Sequence, residues 1–537
     1  MMFIRAFLPG KFTALALPVA LVSMISITGC GGDSSSSSDN GSSGTVLKAS
    51  GGLGGKDGGE GGDAEYFETY SYSGGENRVV KGGSVKAGFN ATNLNKANTE
   101  LGENSLIVDS DLSLAAVASA ANKPASGVYY LEAADPYRLM LSDGDTSAFN
   151  AAEEVTGLQI NKGSTLTLEN NDGNTVSLNF DYDLLVKGTL TVTDISATER
   201  ADLNVDANSV LVWGSGMIDT AGAQDGQDAG RISLYPNYSF INQGILRSFG
   251  ADSASNDAGD GANIYVDADY RVENTGQMLS HGGTSTSGTG GDAGSIDAYA
   301  GYGNMVIRNK LHAYGGNGST SGGDGDDIYL EAEEVGDVRL SGQIWSHGGN
   351  GADGSGGDAG YLNLYGYGGG IYVNADIRGY GGDAGGSSGS GGDGDSFYLY
   401  NEEGELEEYT PPKGIFVTGR IDVSGGDADP DGSGDGGEGG YVYSEIDADD
   451  FSLEQPIEFR GFRRVDLSGG DGQYGGDGGN FELYADYGYN DSLYAYIPSG
   501  GIKVNAKVVA NGGDALADAT GNGSGGNGGD IDLQTDY

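Results

Sequence analysis

The chain predicts an all-β fold: a right-handed parallel β-helix solenoid with Gly/Asp-rich loops, preceded by an irregular N-terminal β region. Three observations carry this expectation. Aliphatic residues alternate with polar ones along short phrases, which is the period of a half-buried strand. The phrases return at a near-constant interval, so equivalent strands stack in parallel from one coil to the next. The stretches between them leave no room for crossover helices, and a coil of three short strands is the economical solution, each coil burying the aliphatic face of its neighbour.

The phrase itself reads G-I-Y-V-N-A-D-I-R-G-Y-G-G at 370–382, G-I-F-V-T-G-R-I-D-V-S-G-G at 414–426 and G-I-K-V-N-A-K-V-V-A-N-G-G at 501–513. Aligning the residue before each small pair gives Phe249, His281, Tyr314, His347, Tyr380, Ser424, Ser468 and Asn511, at intervals of 32, 33, 33, 33, 44, 44 and 43. The step of about eleven residues marks later coils that carry longer loops. By parity, Leu246, Met278, Leu311, Ile344, Ile377, Ile421, Val465 and Val508 form one inward ladder. Ser248, Ser280, Ala313, Ser346, Gly379, Val423, Leu467 and Ala510 continue the same face. Small residues at Gly244, Gly276, Gly342, Ala375, Gly419 and Ala506 fit a corner where the backbone turns sharply. Right-handedness is the default for parallel connections.

Composition narrows the function classes. Gly is the dominant residue, 102 against 10 Pro, and without a three-residue period this excludes a collagen helix. Against 78 acidic residues stand 27 basic ones, a net charge of −51. That surface repels nucleic acid and anionic lipid, and suits solvent or divalent cations. Three His and one Cys leave little room for zinc sites or disulfides.

Residues 1–29 have the features of a signal peptide. Arg5 and Lys11 give a positive start, and the apolar run at 12–27 is too short for a comfortable membrane span. Ile27-Thr28-Gly29-Cys30 resembles the bacterial lipobox. The resemblance implies cleavage before Cys30 and a diacylglycerol on its thiol, so that the membrane becomes a partner through this anchor. Gly31, where inner-membrane lipoproteins carry Asp, implies an outer-membrane destination. A Ser/Gly tether follows at 30–45, too polar to bury anything.

Residues 46–182 read as an irregular β region or cap. Val46-Leu47-Lys48-Ala49-Ser50-Gly51-Gly52 matches the tail of the strand phrase, and Gly62-Asp63-Ala64-Glu65 matches later loop endings. Weaker alternation follows at Leu158, Ile160, Leu166, Leu168, Val176 and Leu178, with a turn at Asn171-Asp172-Gly173 and a short helix expected over 112–121. The solenoid itself is expected over 183–537.

The repeated I-x-V-x-G-x-I-x-A-x-G-G phrase resembles the repeats of filamentous-haemagglutinin-type adhesins and, more broadly, the pectin-lyase-like β-helix superfamily. The resemblance implies the fold and leaves function open, because those folds host adhesins, phage tailspikes and polysaccharide lyases alike. The long Gly/Asp loops and the lack of the adhesins' secretion domain depart from the pattern.

Four features are candidates for chemistry. The loops end in a recurrent acid or amide, at Asp228, Asp260, Asp292, Asp324, Asp358, Asp393, Glu438, Asp477 and Asn527. Stacked at strand spacing of about 4.8 Å such carboxylates repel, so water, backbone N–H groups or cations must intervene. Asp427, Asp429, Asp431, Ser433, Asp435 and Glu438 stand at the ligand spacing of an EF-hand calcium loop, with Gly432 at its sixth position. Gly434 occupies the place of the usual aliphatic, and no helical pattern flanks the loop. Phe249, His281, Tyr314, His347 and Tyr380 point outward by parity, as a ladder of stacked rings or as a platform for sugar rings. Arg463 and Arg464, in the irregular F-R-G-F-R-R at 459–464, are the only basic pair that could serve a lyase. No Ser/His/Asp order, phosphate loop or metal-binding His pair accompanies them. The expectation is a surface-exposed outer-membrane lipoprotein acting as a rigid structural or adhesive module, calcium-stabilised and binding polysaccharide or other surface proteins, and not an enzyme. The alternative is a calcium-dependent polysaccharide lyase or hydrolase.

Overall fold

Alternation along each phrase becomes alternation of burial. In Ile264–Ala268, Ile296–Ala300 and Ile328–Ala332 the first, third and fifth residues are buried and the others face out. The structure, a computed structural model, describes residues 105–108, 112–113, 128–130, 157–160 and most of 162–535; its longest breaks are 169–174, 403–413, 448–456 and 516–524. Among the described residues there is no α-helix, and no helix long and apolar enough to cross a membrane.

The strands stack into a parallel β-helix of three walls. Wall A places Ile264, Ile296, Ile328, Leu362, Phe397, Val442, Phe481 and Ile531 in register on successive coils. Wall B does the same with Val272, Met305, Val338, Ile371, Ile415, Ile457 and Ile502. Wall C carries the predicted ladder, Leu246, Met278, Leu311, Ile344, Ile377, Ile421, Val465 and Val508. All of these wall C residues down to Val465 are buried, in one continuous apolar core. Each such side chain contributes about 1.5–3 kcal/mol of burial. Between walls B and C the chain turns at the predicted small residues. Gly342 (φ 110°) and Gly419 (φ 116°) adopt the left-handed region that side chains disfavour.

Two expectations about the N-terminal region change. Parallel pairing crosses residue 183 without a break, since Leu158 pairs Leu184, Thr165 pairs Thr189 and Thr175 pairs Asp202. The solenoid therefore extends back to Ser105–Val108, which pairs Gly157–Ile160 in parallel. The helix expected over 112–121 begins instead as a strand, Leu112–Ser113, stacked on Leu166–Thr167. Pairing to a neighbouring coil overrides the local propensity there. The rest of that stretch, the signal peptide, Cys30, the tether, the turn at 171–173 and Ala506 lie outside the described residues.

Candidate functional site

Between wall C of one coil and wall A of the next, the Gly-rich segment leaves the solenoid and returns as two arms. In one such lobe the arms are closed at their base by Gly360 N–H donating to Ser346 O (2.7 Å) and across their middle by Gly357 N–H donating to Gly349 O (2.9 Å). Gly382 N–H of the next coil then donates to Gly357 O, and Gly392 N–H donates to Gly382 O. The same alternation, first within a coil and then between coils, runs unbroken from Gln227 O to Gly526 N–H at 2.8–3.0 Å throughout. The lobes are thus a second core made of backbone. Its glycines are required by closeness: a Cβ on Gly357 would lie 2.5 Å from the carbonyl carbon of Gly323 and closer still to its oxygen. Most of them, Gly357 included, lack positive φ.

The Asp row runs along this zipper. Asp228 Oδ1 accepts Asp260 N–H, Asp260 Oδ1 accepts Asp292 N–H, and the relay continues through Asp324, Asp358 and Asp393 to Glu438 N–H, at 2.7–2.9 Å. Asp477 Oδ1 accepts Asn527 N–H in the same way. Backbone N–H groups of the next coil, rather than of the same turn, therefore separate the carboxylates. A parallel relay, missed in the sequence, passes from Asn317 through Asn350, Asp383, Asp427 and Asp471 to Asp514. Burial between lobes, opposed by the accepted N–H and reinforced by like-charged neighbours, raises the carboxyls of Asp260, Asp324 and Asp427 above the usual range. At the foot of wall A burial pushes Asp326 and Asp395 up to about 6, with adjacent carboxylates adding to it.

The calcium spacing is spent differently from an EF-hand. Asp427 Oδ1 accepts Asp471 N–H, Asp429 Oδ2 accepts Gly386 N–H and Asp429 Oδ1 accepts Asp431 N–H. Ser433 N–H and Oγ both donate to Ser387 O, while Asp435 and Glu438 hold the preceding coil through their own N–H groups. The carboxylates of Asp427 and Asp429 are thus tied to neighbouring coils, while Asp431 is bonded within the loop. Among the described residues no group of three or more His, Cys, Asp or Glu side chains is gathered so as to hold a metal ion.

The outward rings do form a ladder. Phe249, His281, Tyr314, His347 and Tyr380 stack with centroids 4.7–4.9 Å apart and planes within 8°. Their faces are spent on each other, and Arg247 covers the outer face of Phe249 at 4.7 Å. What remains for a ligand is the row of ring edges and the face of Tyr380 turned away from His347, on which no ring stacks among the described residues. Burial lowers the pKa of both His281 and His347, whose Nδ1 atoms meet the carbonyls of Gly282 and Gly348. A second stack, His312 on Trp345 (4.4 Å) beneath Arg378, lies beside it.

Wall A carries a longer ladder that the sequence reading did not single out. Tyr235, Tyr265, Tyr299, Tyr329, Tyr365, Tyr400, Tyr443 and Tyr484 follow one another at 4.9–5.5 Å. Four of the hydroxyls, those of Tyr265, Tyr329, Tyr443 and Tyr484, donate to acids two positions away on the same strand, as Tyr329 does to Glu331 (2.6 Å) and Tyr443 to Glu445 (2.8 Å). Burial raises the Tyr299 and Tyr400 phenols to about 12, followed by nearby carboxylates at Tyr299 and by the neighbouring tyrosines at Tyr400. The ladder is staggered between two outward positions, since Tyr265 pairs Asp297 while Asp267 pairs Tyr299, and Tyr443 pairs Glu482 while Glu445 pairs Tyr484. Aligning the wall A phrases would have shown it as a Tyr/acid alternation rather than one column. Arg463 and Arg464 lie outside the described residues. No protein-family model, curated protein or solved structure matches the chain.

Proposed function

We propose that the chain is a surface-exposed outer-membrane lipoprotein that serves as a rigid structural and adhesive module. The observation that carries this reading is the double construction of the rod, an apolar core and a backbone-bonded glycine core stacked in register over the same coils. Such a rod resists bending and local opening, which a load-bearing surface element needs and a single-site binder does not. The lipobox-like Cys30 supplies the attachment, and the acidic exterior keeps neighbouring copies apart.

Adhesion falls to wall A. Its tyrosines and carboxylates form rows of hydroxyl, ring edge and acid at coil spacing, and Tyr270, Tyr302 and Tyr361 are exposed. Repeating polymers, polysaccharide above all, suit a surface that repeats. Calcium enters through the charge of −51, whose repulsion any divalent cation relieves. The test is a glycan-binding screen on wild type and on a Tyr302→Ser/Tyr361→Ser variant, with membrane fractionation of Cys30→Ser. Loss of glycan signal in the tyrosine variant and release of the serine variant from the membrane are expected. The competing lyase reading would appear as unsaturated, ultraviolet-absorbing products from acidic polysaccharides, abolished in Arg463→Ala/Arg464→Ala.

A further inference from the structure

The outward face of wall A is a checkerboard of rings and carboxylates. One outward column runs Tyr265, Asp297, Tyr329 on successive coils, and the column beside it runs Asp267, Tyr299, Glu331. Each tyrosine therefore has an acid beside it along the strand and another on the adjoining coil. The same alternation returns where Tyr443 and Glu445 pair with Glu482 and Tyr484. From Tyr265 to Tyr484 neither column holds a Lys or Arg.

The acids of this face carry no counter-charge. Among the described residues, the ion pairs of these coils lie on the other two walls, where Arg271 meets Glu273, Arg339 meets Asp337, Arg378 meets Asp376 and Arg420 meets Asp422. On wall A the carboxylates meet hydroxyls instead. Asp297 Oδ2 accepts from Ser295 Oγ (2.7 Å), Glu331 Oε2 from Tyr329 and Glu445 Oε2 from Tyr443. The second oxygen of each accepts no hydrogen bond among the described residues. Burial, and after it neighbouring carboxylates, raises the carboxyls of Asp269, Glu333 and Glu402 at the end of the same wall.

We propose that the polymer bound by wall A is a linear polysaccharide of unacetylated amino sugars, laid along the rod axis with its ammonium groups on the carboxylates and its rings against the tyrosines. The proposal rests on the reading of wall A as the adhesive face and names what that face selects. An acidic polysaccharide is repelled, and a neutral one covers the carboxylates without compensating them, which costs free energy. An ammonium group instead donates charge-assisted hydrogen bonds to the free carboxylate oxygens and is attracted to tyrosine faces. Spacing favours sugar over peptide. Coils rise by about 4.8 Å, close to the advance of an extended pyranose chain per sugar. An extended basic peptide turns only every second side chain to one face, about 6.6–6.8 Å apart, and falls out of register with the coils.

The test is calorimetric titration of the full chain with four probes of similar length: glucosamine oligomers, N-acetylglucosamine oligomers, oligogalacturonate and oligolysine. The glucosamine oligomer should bind at least tenfold more tightly than each of the others, and more weakly as salt is raised. Glu331→Gln/Glu445→Gln keeps an acceptor for the tyrosine hydroxyls and removes two charges. It should lose at least tenfold in affinity for the glucosamine oligomer. Asp353→Asn/Asp431→Asn removes two exposed lobe charges and should bind as wild type does. Equal binding of the glucosamine and N-acetylglucosamine oligomers would overturn the inference and leave wall A an adhesive face for neutral sugars. Oligolysine binding as tightly as glucosamine, or equal losses in the two double variants, would reduce the face to general negative charge and overturn it as well. Binding of none of the four would remove both the inference and the adhesive reading beneath it.

Discussion

The three-walled interior and the glycine lobes stack the same coils by opposite means. Inside the walls each coil contributes a layer of Ile, Leu, Val, Met and Phe, and the reward is apolar burial. In the lobes each coil contributes the absence of side chains, and the reward is a hydrogen bond of about 1 kcal/mol net, repeated at every crossing. The difference fixes what each region tolerates. A wall position accepts another side chain of similar volume, but a zipper glycine accepts nothing, because the atom it would strike is a neighbour's carbonyl. The longer lobes of later coils vary only at their tips, beyond the paired arms. The zipper therefore sets the rise of the coil while leaving its outline free.

The largest effect belongs to the interior. Ile344→Asp puts an unpaired charge among Leu311, Ile377 and their neighbours, where Ile344 is 1% exposed, and should cost about 4–5 kcal/mol or abolish cooperative folding. Ile344→Val, which keeps the chemistry, should cost about 0.5–1.5 kcal/mol. Thermal melts followed by circular dichroism decide it; a melt for the Asp variant within a few degrees of wild type would mean this position is not interior.

The lobe is tested next by the smallest side chain available. Gly357→Ala places a Cβ 2.5 Å from the Gly323 carbonyl carbon, whereas Gly214→Ala meets only Gln243 O, at 3.9 Å. The first should cost about 3 kcal/mol or more and the second a few tenths at most. Denaturant melts of the two variants measure the contrast directly. Equal stabilities would mean that the lobes are ordinary loops with no close approach to protect.

Much of the first region and little of the second was legible in the sequence. Wall residues announce themselves because a side chain facing inward must be apolar, so parity alone gave the Leu246 to Val508 ladder. The corner glycines were legible for a related reason, a turn that excludes a Cβ. Gly357 or Gly382 carries no side chain to indicate a direction, and glycine in quantity reads as flexible linker; only the partner carbonyl of another coil reveals its constraint. The Asp row was legible as a row that backbone N–H groups could separate, but not that these belong to the next coil, since the N–H that Asp324 receives lies 34 residues away. Within the EF-hand spacing, the two different inter-coil bonds that Asp427 and Asp429 accept were not legible either, since their donors lie on other coils.

A change at the Asp row separates hydrogen-bond acceptance from charge. Asp324→Ala removes the acceptor of Asp358 N–H and should cost about 1–2 kcal/mol. Asp324→Asn keeps an acceptor and deletes a charge that burial disfavours, and should be neutral or stabilising at pH 7. Were the row held by cations instead, Asn would weaken it as Ala does and added calcium would rescue only wild type. Melts of the three proteins with and without calcium tell the cases apart.

The smallest effect probes where side chains stand between the two regions. His312 stacks on Trp345 at 4.4 Å, and its buried Nε2 has no hydrogen-bond partner among the described residues. Burial first, and then the positive charge of Lys310, lowers its pKa to about 3 from the ordinary 6.5. Between those values the unfolded chain binds a proton that the folded chain refuses, so this residue's contribution to stability falls as pH drops below about 6.5. Asp326 and Asp395 act in the opposite sense. With folded pKa values of about 6 against 3.8, they favour the folded state as pH falls and lose that contribution as pH rises through about 6. Wild type therefore shows a blunted response to acid, the sum of two opposed slopes. His312→Phe keeps the stacked ring and removes the titration and the orphan nitrogen. It should stabilise by about 1 kcal/mol at pH 7, and its advantage over wild type should grow by about 1–2 kcal/mol by pH 5. Paired melts across that range measure the difference, and an advantage that stays flat would mean the ring titrates in the folded protein as it does in water.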